Sequence, residues 1–278
     1  MLTYAQAALL GLLQGITELF PISSLGHSVL VPQLLNWQID QTSPQFIGFV
    51  VATHLGTALV LLAFFWRDWV RIIAGIFRSL FRFGIEGDAH ARLGWLLITA
   101  TVPAGLIGLL FQTKLQTLFG AGILVAIALV CNGIMLFGAE RLRKRASTSD
   151  ADAEALAKLS FGQAFFIGIA QTLALIPGFS RTGVTMTGGL LSGLSRESAA
   201  RFAFLLATPI ILAASVLEIP KLLSAGGAGV AFAGALCAAA AAYVSVRFLT
   251  RYFKTRTLWP FAFYCVVAGI LAFLFLVA

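Results

Sequence analysis

Long stretches without a charged side chain place this sequence among membrane proteins. Residues 46–66 and 259–277 contain no Asp, Glu, Lys or Arg. At a rise of about 1.5 Å per residue, either stretch as a helix can cross a hydrocarbon layer of about 30 Å. The 278 residues are 59% hydrophobic and only 11% charged, a balance that excludes a soluble protein. Because a bilayer offers no water to open backbone groups, we expect helices throughout.

The sequence therefore predicts an all-α integral membrane protein with six transmembrane helices. The first residues, 1–20, contain no Lys or Arg, so they lack the positive start of a secretory signal and are expected to remain in the mature protein. The predicted spans are residues 46–66, 94–111, 121–139, 198–217, 228–248 and 258–277.

Two further apolar segments, residues 4–37 and 161–195, are interrupted by polar, Pro- and Gly-containing breaks. The breaks are residues 20–27 and 177–183, and the short arms after them are residues 28–37 and 184–194. An arm of this length reaches only about 15 Å as a helix, half of a bilayer. Both segments are therefore predicted to be re-entrant helical hairpins.

The two halves of the chain resemble each other at an offset of roughly 155 residues, which predicts an internal repeat. Each half would contain one hairpin and three spans, over residues 1–142 and 161–278, joined by a cytoplasmic linker at 143–160. With three spans per half, the repeats have inverted topology, so the two breaks can meet. The matching pieces are Gly11 to Gln14 with Gly168 to Gln171, Pro21 to Ser24 with Pro177 to Ser180, and Val51 to Thr53 with Leu206 to Thr208.

The basic residues lie in loops between the spans and indicate the orientation of the chain. Lys and Arg favour cytoplasmic loops, and the alternate loops contain only Lys114 and Lys221. Both termini are then outside, the first hairpin enters from outside and the second from inside. The net charge of +8 is not gathered with aromatic residues on one module, so we expect no nucleic-acid binding. The basic loops contain Arg67, Arg71, Arg78, Arg82 and Arg92; Arg141, Arg143, Lys144, Arg145 and Lys158; and Arg247, Arg251, Lys254 and Arg256.

Glu18 is the one carboxylate well away from the ends of an apolar segment. A buried carboxylate costs several kcal/mol unless it is paired, so Glu18 is a candidate catalytic residue. Gln14 lies one helical turn earlier on the same face. Together they could hold a divalent metal, a water or another side chain. The alternative is a structural ion pair between Glu18 and Arg181.

The first break places two hydroxyls, a glycine and an imidazole after Pro21. Ser24 or His27 could attack phosphorus, and His27 could also act as a general acid or base. The alternative is structural, with a Ser N-cap on the following helix and His27 as a satisfied core residue.

The second break surrounds Arg181 with glycines and hydroxyls, a composition that favours an anion site. A guanidinium at the N-terminus of a half-helix offers fork-like donors and a favourable dipole to phosphate oxygens. The candidate phosphate-binding residues of both breaks are Ser23, Gly26, Gly178, Ser180, Arg181, Thr182, Gly183 and Thr185, and Gln14 and Gln171 are candidate supporting residues.

Other reactive side chains are interpreted as structural. His54 has Pro209 at the matching place of the second half, so we expect a structural role for it, and His90 lies in a charged loop. Cys131, Cys237 and Cys265 fall within apolar spans with no metal-ligand spacing.

The two motifs, Gln14 to Glu18 running into Pro21 to His27, and Pro177 to Thr185, resemble the signatures of the undecaprenyl-pyrophosphate phosphatase family, known for bacitracin resistance. The similarity covers essentially the whole chain. Two positions depart from the family pattern. Leu25 stands where the family more often has a hydroxyl residue and changes the lining near the nucleophile, and Thr182 replaces the usual Ser but keeps the hydroxyl.

The resemblance implies removal of the terminal phosphate from undecaprenyl pyrophosphate at the outer face of the bacterial cytoplasmic membrane, with a divalent cation, Mg²⁺ or Ca²⁺. It assigns Gln14 and Glu18 to the paired carboxyl or amide positions, which are also candidate metal ligands. Ser24 matches the proposed nucleophile and His27 the catalytic histidine. Ser180, Arg181 and Thr185 match the phosphate-binding motif. The partners expected are the polyprenyl diphosphate lipid, membrane lipid and a second copy in a homodimer.

Two alternatives remain open from the residues. Attack on phosphorus could come from Ser24, from His27 or from water guided by His27. The same anion site could also serve a transporter or flippase of polyprenyl phosphate, because inverted repeats with broken helices are a transporter architecture. A transporter needs no nucleophile, so the enzyme is favoured. A purely structural protein would not bury Glu18 and Arg181.

Overall fold

The computed structural model describes residues 2–82, 84–142 and 153–278, and all secondary structure within these ranges is helical. Residues 143–152 of the predicted linker, with Arg143, Lys144 and Arg145, lie outside the described residues. The α-helices are α1 (Tyr4–Thr17), α2 (Ser24–Leu34), α3 (Pro44–Phe64), α4 (Trp66–Arg82), α5 (Ala89–Leu110), α6 (Gln112–Thr117), α7 (Gly122–Leu142), α8 (Ala153–Ala157), α9 (Phe161–Gln171), α10 (Arg181–Leu191), α11 (Arg196–Ala225), α12 (Ala228–Thr255) and α13 (Trp259–Val277); 3₁₀ turns cover Leu118–Gly120 and Thr172–Leu175.

All six predicted spans are confirmed as helices long and apolar enough to cross a membrane. They are α3, α5, α7, α12, α13 and the part Arg196–Val216 of α11. Helix α11 continues to Ala225, so Lys221 lies in the helix and not in the predicted loop. Pro103 lies inside α5, where its missing N–H does not end the helix.

The segment between the first two spans, interpreted above as a loop, contains helix α4. Its arginines alternate with apolar residues at helical spacing, which gives one basic and one apolar face. Val70, Ile73 and Phe77 are more than 45% exposed. A search for uncharged runs misses such a helix, because the charges occur within each turn.

Both short arms begin earlier than predicted, α2 at Ser24 and α10 at Arg181. The cause is the residue before each helix. The hydroxyls of Ser23 and Ser180 accept the N–H groups of Gly26 and Gly183, both at 3.1 Å, and so cap the two helices at their first turns.

Each broken segment packs closely against a span from the other half of the chain. At Gly11 of α1, an added Cβ would lie 2.2 Å from the Gly234 carbonyl oxygen of α12. At Gly168 of α9, an added Cβ would lie 2.6 Å from the Ala100 carbonyl oxygen of α5. Only glycine permits these approaches. The crossings hold the two breaks side by side.

Candidate functional site

The first break carries Glu18 between the end of α1 at Thr17 and the start of α2 at Ser24. The carboxylate is buried, with 5% of the residue exposed. Ser23 has a φ of 69°, a left-handed conformation that is uncommon outside glycine. This turn reverses the chain and directs Ser24 back towards Glu18.

The second break brings Arg181 to the first position of α10. Gly178 has a φ of +109°, and a Cβ there would lie 2.5 Å from the Val125 carbonyl oxygen of α7. A side chain at Gly178 is therefore excluded both by backbone strain and by close packing. The tight turn allows Ser180 to cap α10 directly before Arg181.

The two breaks bond to each other. The Oγ of Ser23 accepts the N–H of Gly178 at 3.1 Å in addition to that of Gly26. The hydroxyl of Thr182 donates to the main-chain oxygen of Glu18 at 2.9 Å. The convergence expected from the sequence is thus present as direct hydrogen bonds.

Glu18 is the centre of the cluster. Its Oε2 accepts from Gln14 Nε2 at 3.0 Å and from the Ser24 hydroxyl, and His54 Nε2 lies 3.1 Å from the same oxygen. Its Oε1 pairs with Arg181 Nη2 at 2.8 Å. A cation and two neutral donors compensate the burial of this carboxylate. The ion pair between Glu18 and Arg181 is therefore present, and the same carboxylate also contacts a serine and a histidine.

His54 belongs to this cluster, although the sequence analysis gave it only a structural role. Its Nδ1 lies 2.8 Å from the Val50 carbonyl oxygen one turn earlier in α3. Nδ1 faces a carbonyl and Nε2 faces the Glu18 carboxylate; since both partners only accept, each contact is a hydrogen bond when the ring nitrogen concerned carries a hydrogen. The sequence does contain a signal for this role, since His54 is a lone histidine inside an uncharged span. A structural role was expected instead because the matching place in the second half is Pro209.

His27 points away from Glu18. Its Nδ1 lies 2.6 Å from the Ser23 carbonyl oxygen, and its Nε2 lies 2.7 Å from the hydroxyl of Tyr264 in α13. Among the described residues, His27 makes no hydrogen bond to Ser24 or Glu18. The basic partner of the Ser24 hydroxyl in this arrangement is the Glu18 carboxylate. No motif marked Tyr264.

Several of the predicted phosphate-binding groups already have protein partners. Ser23, Gly26, Gly178 and Gly183 bond within the two breaks, and the N–H of Ser180 donates to Asn132 Oδ1 at 3.0 Å. In the first turns of α2 and α10, the main-chain N–H groups of Ser24, Leu25, Arg181 and Thr182 make no hydrogen bond to the described residues.

Three of the predicted polar residues keep a buried atom that has no hydrogen-bond partner in the described part of the chain. They are Thr185 at Oγ1, Gln14 at Oε1 and Gln171 at Oε1. The amide nitrogen of Gln171 lies 3.4 Å from the Ala100 carbonyl oxygen, whereas that of Gln14 reaches Glu18. The two glutamines that the sequence comparison paired therefore have different surroundings.

The family profile described as bacitracin resistance protein BacA matches residues 7–271, which include both breaks, the first five spans and the greater part of α13. The chain belongs to this family. It is 46% identical to an undecaprenyl-diphosphatase of Mycolicibacterium paratuberculosis, over 96% of this chain and 95% of the relative. It is 47% identical to an undecaprenyl-diphosphatase 2 of Chromobacterium violaceum, over 97% of this chain and 98% of the relative.

A third relative, an undecaprenyl-diphosphatase 2 of Burkholderia thailandensis, is 49% identical over 94% of this chain and 92% of the relative. With six apolar helices and the BacA family profile, the chain is a multi-pass membrane protein. The Glu18 cluster lies within the matched region.

Proposed function

We propose that this BacA family member is a membrane phosphatase that hydrolyses undecaprenyl pyrophosphate to undecaprenyl phosphate and inorganic phosphate, recycling the lipid carrier of cell-wall synthesis. Relatives named undecaprenyl-diphosphatase support the proposal. The observation that carries it is the Ser24 hydroxyl bonded to the Glu18 carboxylate beside Arg181. This set combines a nucleophile, a base and an anion-binding group.

The diphosphate is expected to bind between the starts of α2 and α10. Free first-turn N–H groups and the positive helix dipoles favour phosphate oxygens. Arg181 bonds Glu18 through Nη2, and its other guanidinium N–H groups can donate to the ligand. The hydroxyl of Thr185 is a candidate further donor, because it is buried and has no partner in the described residues.

In the proposed reaction, the Ser24 oxygen attacks the terminal phosphorus in line with the bridging oxygen. Glu18 takes the hydroxyl proton as the serine–phosphorus bond forms. The bond to the bridging oxygen breaks, and polyprenyl phosphate leaves with that electron pair. Arg181 neutralises charge on the transferring group. Water then attacks the phosphorus of the phosphoserine, and the serine–phosphorus bond breaks. Glu18 returns its proton to the Ser24 oxygen, and the proton lost by the water leaves with inorganic phosphate.

The two histidines take different parts in this scheme. His54 holds Glu18 Oε2, the oxygen that accepts the Ser24 hydroxyl, and keeps the carboxylate directed at Ser24, whereas Arg181 pairs with Oε1. His27 fixes the Ser23 carbonyl and thereby the turn that presents Ser24. A role for His27 in proton transfer requires its bond with Tyr264 to open.

A divalent cation, Mg²⁺ or Ca²⁺, is proposed to be held mainly by the substrate. The described residues contain no group of three or more His, Cys, Asp and Glu that could hold a metal. In the part of the chain that the structure describes, Gln14 Oε1 is a buried oxygen without a hydrogen-bond partner, and its amide nitrogen donates to the Glu18 carboxylate. Since Mg²⁺ commonly uses one or two protein oxygens plus substrate phosphates, these two residues fit such a site. The cation would neutralise diphosphate charge.

We further propose that the two broken segments are re-entrant hairpins related by an inverted repeat. The interval from Ser23 to Ser180, the two caps, equals the interval from Gly11 to Gly168, the two close crossings. The arms before the breaks, α1 and α9, each pack on a span of the other half, as expected if the two halves are related by symmetry. Under this alignment of the two halves, Ser23 and Ser180 are equivalent helix caps, and Ser24 is equivalent to Arg181.

The enzyme is proposed to lie in the bacterial cytoplasmic membrane with its site open to the outer face, both termini outside and a homodimer as the assembly. The positions of Lys and Arg support this orientation. Transport without hydrolysis is the alternative activity. It gives no reason for a hydroxyl directed at a buried carboxylate, and the relatives carry phosphatase names.

Phosphate release from a C55 diphosphate by the purified, detergent-solubilised protein tests the proposal. We expect release that a chelator lowers and that Arg181→Ala and Ser24→Ala abolish. If the wild-type protein with added cation releases no phosphate, the enzyme proposal is wrong, and lipid translocation in liposomes should be measured instead. The same sample gives the oligomeric state by mass.

A further inference from the structure

One buried amide outside both motifs connects the two breaks. Asn132 lies in the middle of α7 with no exposed surface. Its Oδ1 accepts the N–H of Ser180 at 3.0 Å, and its Nδ2 donates to the Pro21 carbonyl oxygen at 3.0 Å. The same nitrogen lies 3.3 Å from Cys265 Sγ in α13. The side chain thus bonds to the first break, the second break and a spanning helix.

The chemistry of the amide suits this position. A break in a helix leaves main-chain groups without their usual partners, and each one left open away from water costs several kcal/mol. The Pro21 carbonyl needs a donor and the Ser180 N–H needs an acceptor. Only a side chain with both kinds of group, such as Asn, can satisfy them together.

These bonds lie beside the reacting groups. Pro21 stands midway along the chain between Glu18 and Ser24, and Ser180 directly precedes Arg181. An added Cβ on Gly183 would lie 3.2 Å from Asn132 Oδ1, so the first turn of α10 rests on this amide. Asn132 therefore sets the separation between the Glu18–Ser24 pair and the guanidinium.

From this geometry we infer that Asn132 is a positioning residue for phosphoryl transfer, an inference that rests on the proposed function. Among the described residues it makes no hydrogen bond to the Ser24 hydroxyl or the Arg181 guanidinium, and it acts through the main chain of the two breaks. Loss of the amide misaligns the attacking oxygen and the charge-neutralising group, and a displacement of about 1 Å can cost about 10²-fold in rate. The lipid chain and the α10 N-terminus still bind substrate, so KM changes much less than kcat.

The test compares kcat and KM for C55 diphosphate in purified Asn132→Leu, Asn132→Asp and Ser245→Ala proteins, with thermal unfolding of each. Leucine has the same number and branching of side-chain heavy atoms as Asn and removes both bonds, whereas aspartate keeps the acceptor for Ser180. Ser245 is the matched control, a buried hydroxyl whose hydrogen bond among the described residues is to the Ala241 carbonyl oxygen of its own helix.

We expect Asn132→Leu to lower kcat by about 30-fold or more with KM within about threefold, Asn132→Asp to lose less, and Ser245→Ala to retain kcat. A folded Asn132→Leu with kcat within threefold of wild type overturns the inference, as does a loss confined to KM. If neither Asn132 variant folds, the residue supports the whole fold, and the inference is wrong. If wild type and Ser245→Ala are both inactive, the proposed function itself fails.

Discussion

The Ser23 hydroxyl lies 3.1 Å from the main-chain nitrogen of Gly178, so the group that caps α2 also bonds to the second break. The same oxygen accepts the N–H of Gly26. One hydroxyl thereby begins a helix and joins two segments that are far apart in the chain. The bond also explains why Ser23 adopts a left-handed conformation, because only that turn brings its side chain to both nitrogens.

Gly178→Ala is expected to destabilise the protein more than Gly193→Ala. Both glycines have positive φ, +109° and +96°, so both substitutions strain the backbone by about 1 kcal/mol. Only at Gly178 would the new Cβ meet the Val125 carbonyl oxygen; at Gly193 it meets nothing within 4 Å. Thermal unfolding of the two variants measures the difference. Equal losses would show that the close approach to α7 contributes nothing.

Ser24→Ala should reduce phosphate release by at least about a thousandfold, because it removes the proposed nucleophile. Rapid quenching of wild type with ³²P-labelled substrate, followed by peptide mapping, should place the label on Ser24. The matched control is Ser28→Ala, since Ser28 is also a buried serine of α2 but is not in the Glu18 cluster. Repeated absence of a phosphorylated residue would contradict the covalent route and favour direct attack by water.

Arg181→Lys is expected to lower kcat by about a hundredfold or more, although the charge is retained. A lysine ammonium is a point donor and cannot bond Glu18 and the diphosphate together as the planar guanidinium can. Arg67→Lys, an exposed position of α4, is the control and should retain kcat. Full activity of Arg181→Lys would show that charge alone suffices at this position.

His54→Phe should lower kcat by about tenfold with a smaller change in KM. The substitution removes one contact to Glu18 Oε2 and frees the carboxylate to turn from Ser24. His90→Phe, in the first turn of α5, is the corresponding control. Steady-state kinetics on the two purified variants checks this, and an unchanged kcat in His54→Phe would support the structural role first expected for this histidine.

The proposed orientation predicts that two positions near opposite ends of the spans are labelled differently in intact cells. In a background without the three native cysteines, Lys114→Cys should react with an impermeant maleimide, and Arg251→Cys should react only after the cells are opened. Lys114 lies in α6, after the second span, and Arg251 lies in the last turns of α12. Reaction of Arg251→Cys in intact cells would reverse the proposed topology.

The residues of the candidate site that could be predicted from the sequence are polar or charged groups in apolar segments, where burying them costs free energy. Glu18 and Arg181 stand out because a charge in an apolar segment needs a reason, and the two Ser- and Gly-containing breaks mark themselves by composition. His54, Asn132 and Tyr264 were missed, since each is a single residue within an apolar span. What identifies them is a contact to a break, and a one-dimensional pattern contains no contacts.

The helical class, the number and approximate bounds of the spans, and the two motifs with their acid, hydroxyl and arginine can all be predicted from the amino-acid sequence. These follow from local rules, because the bilayer demands satisfied backbones and penalises isolated charges. Which groups meet depends on tertiary packing. The packing directs Ser24 to Glu18 and His27 to Tyr264, and it brings His54 to Glu18 and Asn132 to both breaks. Those choices depend on how α3, α7 and α13 pack around the breaks, through close helix crossings that distant segments of the chain create together.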